Sequence, residues 1–281
     1  MIGTLSFSVL LVSILNAFAA LQPRIVGGTD TLIEKVPWQA EVLYFTVHRC
    51  GASILNETTV ITAAHCLERV RRAKSLSVRV GTSYRARGKT HDDGVTITVQ
   101  KFLRHPKYED SRLDFDVALL WLEKPIEFNE KAQPIKLPAF NEPIPEGSLG
   151  IVSGWGKLFE NGIIPEILHS VVVPIWPQSE CVELYRERKE EITRNMLCAG
   201  EKSGGKDACQ QDSGGPLVVE KKLVGVISWA VGCGRPNLPG VYAQKQIKFS
   251  KAYIFFITIF PMFTKAYLDY INIQIHFIKH T

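Results

Sequence analysis

Several things are missing from this 281-residue chain, and each absence narrows what it can be. No apolar run is long enough to span a bilayer comfortably, which argues against a membrane protein. The Cys-x2-Cys spacing of zinc sites does not occur, so no metal is expected. Lysines and arginines form no block interleaved with aromatics, and the formal charge of +5 is modest. A nucleic-acid partner is therefore not expected. Arg69, Arg71, Arg72 and Lys74 do cluster, and a solvated loop accounts for them. Internal repeats and low-complexity linkers are also absent. From Lys245 to Thr281 there is no Gly, Val, Glu, Arg or Trp, an abrupt change from what precedes.

The N-terminus points to export. An apolar run over 5–18 is followed by Ala17-Phe18-Ala19, which fits the small-x-small rule for signal-peptide cleavage. Residues 1–19 are read as a signal peptide, although no lysine or arginine precedes the run, and the mature chain as secreted and extracellular. Six cysteines in an exported chain suggest disulfides but leave their pairing open. Asn56-Glu57-Thr58 is a glycosylation sequon before an apolar strand, so Asn56 is a candidate glycan site.

Once the two ends are set aside, about 220 residues remain, enough for one large all-β domain or two small barrels. Short β-rich runs recur at 40–47, 59–62, 76–80, 95–100, 117–122, 150–153, 171–175, 216–219 and 223–228. Short strands at even spacing predict a sandwich or barrel and not βαβ units. A helical turn is expected over 63–68 and a helix over 179–188, with Ser179 as its cap.

The most informative stretch is Cys209-Gln210-Gln211-Asp212-Ser213-Gly214-Gly215-Pro216. A serine between an acid and two glycines looks like a nucleophile on a tight turn. It needs a base to take its proton and an acid to orient that base. His65, ending Val60-Ile61-Thr62-Ala63-Ala64-His65-Cys66, is the candidate base. Asp116, opening an apolar run through Trp121, is the candidate acid, with Asp114 a competitor for a turn or capping role. A carboxylate at such a boundary is buried at acceptable cost only when hydrogen-bonded, and an imidazole N–H serves. The order His, Asp, Ser is one of three found among unrelated triads.

Over about residues 25–244 the chain resembles the trypsin-like, chymotrypsin-fold serine proteases. The likeness rests on Arg24-Ile25-Val26-Gly27-Gly28, His48-Arg49-Cys50-Gly51, Thr62-Ala63-Ala64-His65-Cys66 and Asp116-Val117-Ala118-Leu119-Leu120. It continues through Ser153-Gly154-Trp155-Gly156, Asp212-Ser213-Gly214-Gly215-Pro216, Ser228-Trp229 and Pro239-Gly240-Val241-Tyr242. The resemblance implies two six-stranded antiparallel β-barrels, joined near 134–145, with the active site in the cleft between them. It implies a catalytic set of His65, Asp116 and Ser213, and an oxyanion hole from the N–H groups of Gln211 and Ser213. It also selects the disulfides Cys50–Cys66, Cys181–Cys198 and Cys209–Cys233.

By the same resemblance, residues 20–24 are an activation peptide cut after Arg24 by a trypsin-like protease. The freed Ile25 ammonium would pair with Asp212, and His48 matches the histidine that holds this aspartate beforehand. Breaking a buried ion pair costs roughly 3–5 kcal/mol, enough to order a loop. Asp207 falls at the base of the specificity pocket and Gly240 on its wall, which implies cleavage after arginine or lysine. Ser228, Trp229 and Ala230 would line the substrate's path. The implied partners are peptide or protein substrates with Arg/Lys and protein protease inhibitors; a monomer is expected and no cofactor. Calcium is not expected, because the loop 81–88 lacks the carboxylates a hard cation needs.

Three departures stand out. Gln211 replaces the family's usual glycine: a left-handed glutamine costs about 1–2 kcal/mol. A flipped peptide there would instead remove one oxyanion donor, costing roughly 10²–10³ in turnover. An active secreted endopeptidase and a catalytically impaired homologue that binds partners therefore both stay open. Ala230, also usually glycine, is expected to narrow the pocket mouth. Residues 245–281 depart altogether and are read as intron read-through or a gene-model error, with a divergent tail as the alternative.

Overall fold

The computed structural model describes residues 25–86, 93–139 and 142–244. The expected signal segment, the spacer ending in Arg24, residues 87–88 of the 81–88 loop and the 245–281 tail lie outside those residues.

The first half of the described chain is a closed barrel. Strands β2 (Gln39–Tyr44), β3 (Val47–Asn56), β4 (Thr59–Thr62), β5 (Leu76–Val80), β6 (Val95–Arg104) and β7 (Ala118–Leu122) pair in the order β2-β3-β4-β7-β6-β5. The ladder closes antiparallel between β5 and β2. Strand β7 is buried at every residue, so it reads as a continuous apolar run and not as an alternation. The sequence suggested one strand over 40–47. The chain instead reverses at Phe45 and Thr46, both at positive φ, to give the β2–β3 hairpin. Such two-residue turns usually carry Asn-Gly or Asp-Gly, and the lack of that signal hid the turn.

The second half contains β8 (Leu149–Gly154), β9 (His169–Pro174), β10 (Met196–Ala199), β11 (Pro216–Val219), β12 (Lys222–Trp229) and β13 (Gly240–Gln244). With the short β1 (Thr29–Asp30) they form one antiparallel sheet, ordered β1-β9-β8-β11-β12-β13-β10. A bridge between Ile175 and Ala199 joins the exit of β9 to β10, so the six longer strands curl into a ring. Inside it pack Val152, Val171, Val173, Leu217, Ile227 and Tyr242. Strand β9 alternates: His169, Val171 and Val173 are buried, whereas Val172 faces out. The fold is thus all-β and built as the two-barrel expectation has it.

The helix α1 (Gln178–Arg186) starts two residues earlier than a Ser179 cap allows and ends two residues short of 188. Pro177 precedes it and no side chain caps it, so Ser179 lies within the first turn. Proline serves there because its missing N–H is not needed at a helix start. The turn expected over 63–68 is a short 3-10 helix, His65–Leu67. Three disulfides are present, Cys50–Cys66, Cys181–Cys198 and Cys209–Cys233, which fits the resemblance.

Candidate active site

Both halves send residues to one seam. His65 follows β4 and Asp116 precedes β7, strands that are neighbours in the first barrel. The imidazole Nδ1 of His65 lies 2.7 Å from Oδ2 of Asp116, and the backbone N–H of His65 donates to Oδ1 at 2.9 Å. From the other half, the hydroxyl of Ser228 at the end of β12 donates to Oδ2 at 2.5 Å. Asp116 is fully buried, and three donors offset the cost of taking its carboxyl group out of water. Burial alone would lower the pKa of His65, but the hydrogen bond and charge of Asp116 outweigh it, and the ring ends above its ordinary value.

Ser213 is held against this pair by backbone. The N–H of Gly51 in β3 donates to the Ser213 carbonyl at 2.9 Å. Sγ of Cys66 lies 3.9 Å from Nε2 of His65 and 3.8 Å from that same carbonyl. Gly214 sits at φ +82°, and a Cβ there would fall 2.2 Å from the hydroxyl of Thr62. Only glycine allows the serine turn to approach the first barrel so closely.

The turn before Ser213 is strained at one residue. Gln211 has φ +76°, the left-handed conformation that a side chain disfavours. The peptides on both sides of it are nonetheless held: the Gln210 carbonyl accepts from the N–H of Lys157 at 2.9 Å. The Gln211 carbonyl accepts from Nε2 of His48 at 3.0 Å. Asp212 N–H bonds to the Cys209 carbonyl, whereas the N–H groups of Gln211 and Ser213 meet no acceptor among the described residues. Two free amides flanking a bonded one can receive a single anionic oxygen.

Asp212 is completely buried, with Gly154 and Gly156 packed against its carboxylate. It accepts from the N–H of Gly156 at 2.7 Å and of Cys209 at 3.0 Å. Burial raises its pKa to about 6, despite those donors and the nearby His48. His48, matched by resemblance to a partner of this aspartate, here bonds the Gln211 carbonyl instead. Ile25 opens a short 3-10 turn, Ile25–Gly27, and the Val26 carbonyl accepts from the N–H of Asp207. The N-terminal segment is thereby laid against the loop that carries the pocket residues.

A cavity of about 210 Å³ opens beside Ser213. Ser228, Trp229, Ala230 and Gly240 line it, and so do residues not assigned to the pocket from the sequence, among them Ala208, Gln210, Gly232 and Tyr242. Ala208 and Gln210 were within reach of that reading, because they flank Cys209 between Asp207 and Ser213. Gly232 and Tyr242 needed the loop and strand register. Asp207 is buried behind the Gly240 wall, where a Cβ on residue 240 would fall 2.6 Å from its Oδ1. Its Oδ2 accepts from the N–H of Gly234, and its Oδ1 has no partner among the described residues. Burial pushes Asp207 up to about 7, against the pull of neighbouring N–H groups. Asp207 itself does not line the cavity; Gly240 stands between them. Trp229 stands edge-on to Tyr185, whose hydroxyl reaches the Pro239 carbonyl and steadies the entry to β13.

Asn56 takes no part in this cluster. Its side chain accepts from the N–H of Thr58 and closes the β3–β4 turn.

Comparison with known proteins agrees with the geometry. The family model described as Trypsin matches residues 25–252, which runs past Gln244. The chain is 42% identical over 221 residues to a vitellin-degrading protease of Bombyx mori, covering 79% of this chain and 81% of that protein. It is 43% identical to Trypsin 5G1 of Aedes aegypti, covering 79% and 80%. To Hypodermin-A of Hypoderma lineatum it is 42% identical, covering 85% and 94%.

Proposed function

This chain belongs to the trypsin family of serine proteases, and we propose that it is a secreted endopeptidase, made as a zymogen, that cuts after arginine or lysine. The observation that carries the reading is the three-donor setting of Asp116 beneath His65, with Ser213 pinned alongside. Ser213 Oγ attacks the substrate carbonyl carbon while Nε2 of His65 takes its proton. Nδ1–H stays on Asp116, which stabilises the imidazolium without taking the proton. The carbonyl oxygen becomes an anion and is received by the N–H groups of Gln211 and Ser213. The C–N bond then breaks, His65 returns the proton to the leaving amine, and the acyl group remains on Ser213. Water repeats the sequence, with His65 as base, and frees the acid and the serine.

Asp207 selects the substrate. Its unpartnered oxygen behind the Gly240 wall favours a guanidinium or ammonium over an apolar side chain. Activation follows cleavage after Arg24: the Ile25 ammonium meets the buried Asp212, supplying the positive charge that its backbone donors lack. The signal segment 1–19 directs export, the monomer acts alone, and Asn56 carries a glycan at an exposed turn. Protein inhibitors compete for the same cleft.

A second reading has one specific observation behind it. The left-handed Gln211 is strained, and a turn that relaxes would leave a binding homologue with poor turnover. The test is to cleave recombinant protein after Arg24, then measure hydrolysis of Arg, Lys and Phe peptide amides with covalent labelling of Ser213. Labelling with brisk Arg/Lys turnover supports the protease. Correctly cleaved protein without turnover, rescued by Gln211→Gly, supports the homologue.

A further inference from the structure

A buried carboxylate in the first barrel has no place in the chemistry above. Glu41, on β2, is 1% exposed, as is the side chain of His48, on β3. Oε1 of Glu41 lies 2.7 Å from Nδ1 of His48, and the N–H of Ala86 donates to Oε2 at 3.0 Å. The guanidinium of Arg79, itself buried, lies 3.6 Å from Oε2. Arg79 and the Ala86 N–H hold the Glu41 carboxyl group in place. The other ring nitrogen of His48 reaches out of the barrel to the Gln211 carbonyl at 3.0 Å.

Those contacts fix the ring of His48 between two oxygen acceptors, a carboxylate on one side and a peptide carbonyl on the other. From that position its outer ring nitrogen donates to the Gln211 carbonyl. The residue at the end of this chain is the strained one. Rotating the Gln210–Gln211 peptide would return φ of Gln211 to negative values and relieve the strain, but it would turn the Gln211 N–H away from the oxyanion. Lys157 holds the carbonyl of that peptide, and His48 holds the carbonyl of the next.

We propose that Arg79, Glu41 and His48 form a positioning chain that lets this protease use glutamine at 211: Glu41 holds the His48 ring in place, and His48 pins the Gln211 carbonyl so that the Gln211 amide stays on the oxyanion. The role rests on the reading that the Gln211 and Ser213 amides hold that oxygen.

The test uses full-length protein cleaved after Arg24. His48→Phe lowers kcat on an Arg peptide amide about tenfold, the worth of one buried hydrogen bond, and leaves KM within about twofold. In the Gln211→Gly background the same change costs less than about threefold, because glycine gains nothing by leaving φ +76°. Glu41→Gln keeps the volume and is read beside it, lowering kcat about threefold, so the test does not depend on His48→Phe folding. Nitrogen-15 NMR of the wild type shows a slowly exchanging ring N–H on His48, absent from His48→Phe, a readout independent of turnover. An equal kcat loss in both backgrounds, no loss in the parent, or a fast-exchanging ring N–H overturns the proposal. A cleaved wild type that neither labels at Ser213 nor turns over overturns the protease reading itself, and this role with it.

Discussion

The two halves of the site are finished to different degrees. On the first-barrel side the acid is fully partnered: Asp116 takes three hydrogen bonds, one of them from Ser228 of the other half, and another orients His65. On the second-barrel side valences stay open. Asp207 has a bare oxygen, Asp212 is buried with only peptide donors, and Gln211 is held in a strained conformation. Burial raises both aspartates, to about 7 and about 6. On the proposed reading, the half that handles the proton is already assembled, and the half that recognises substrate awaits two charges, a substrate cation at Asp207 and a new N-terminus at Asp212.

The largest effect should come from spoiling the finished half. Asp116→Asn leaves the volume unchanged but removes the charge that keeps His65 in the right tautomer. The documented loss for triads of this type, about 10⁴-fold in kcat, is expected in steady-state assays of the cleaved protein. A loss under tenfold would mean that the two halves do not differ as described.

Next comes the open oxygen at the pocket. Asp207→Ser should lower kcat/KM for Arg substrates by about 10²–10³, the cost of leaving a buried cation unpaired. Its pH signature follows from the raised pKa. Below about 7 the carboxyl is held neutral, and binding a cation favours its ionised form. KM for Arg peptides should therefore improve as pH rises through about 7, while KM for a Phe peptide stays flat. Matching KM profiles for Arg and Phe substrates would remove Asp207 from recognition.

A smaller effect belongs to Asp212. Its folded pKa of about 6 lies above the ordinary 3.8, so the folded chain holds a proton that the unfolded chain releases between those values. Stability from this group is greatest below about pH 4 and is lost as pH rises to about 6. An ammonium from Ile25 would reverse that loss. Cleavage after Arg24 should then raise the melting temperature clearly at pH 8 and much less at pH 4, read by calorimetry of both forms. A gain of equal size at both pH values would break the link to Asp212.

The smallest expected change tests the seam between the halves. Ser228→Ala removes one of three donors to Asp116, worth roughly 1 kcal/mol, so kcat should fall about fivefold with the fold intact. No change in kcat would show that the two first-barrel donors suffice.

Much of this was legible in the sequence because the chemistry is carried by short local motifs. The residues about His65, Asp116 and Ser213 could be named from their neighbours alone, and strand spacing with the family resemblance gave an all-β fold. Contacts set by register were hidden. Glu41 reads as an ordinary strand residue until the β2–β3 pairing, with its shift between Val42 and Leu43, brings His48 beside it. The hairpin between those strands was itself obscured by a turn without its usual residues. At Gln211 the sequence posed a choice between strain and a flipped peptide. The structure has the left-handed residue, held by partners far away in the chain.

None of the three disulfides joins the two halves. Cys50–Cys66 lies within the first barrel, and the other two lie within the second. Apart from the chain itself, what crosses the seam is non-covalent and includes Gly51 to Ser213, Ser153 to Gln39, Ser228 to Asp116 and His48 to Gln211. The cystines therefore do not bind one half of the cleft to the other, and full oxidation of the cysteines is no guarantee of a working site.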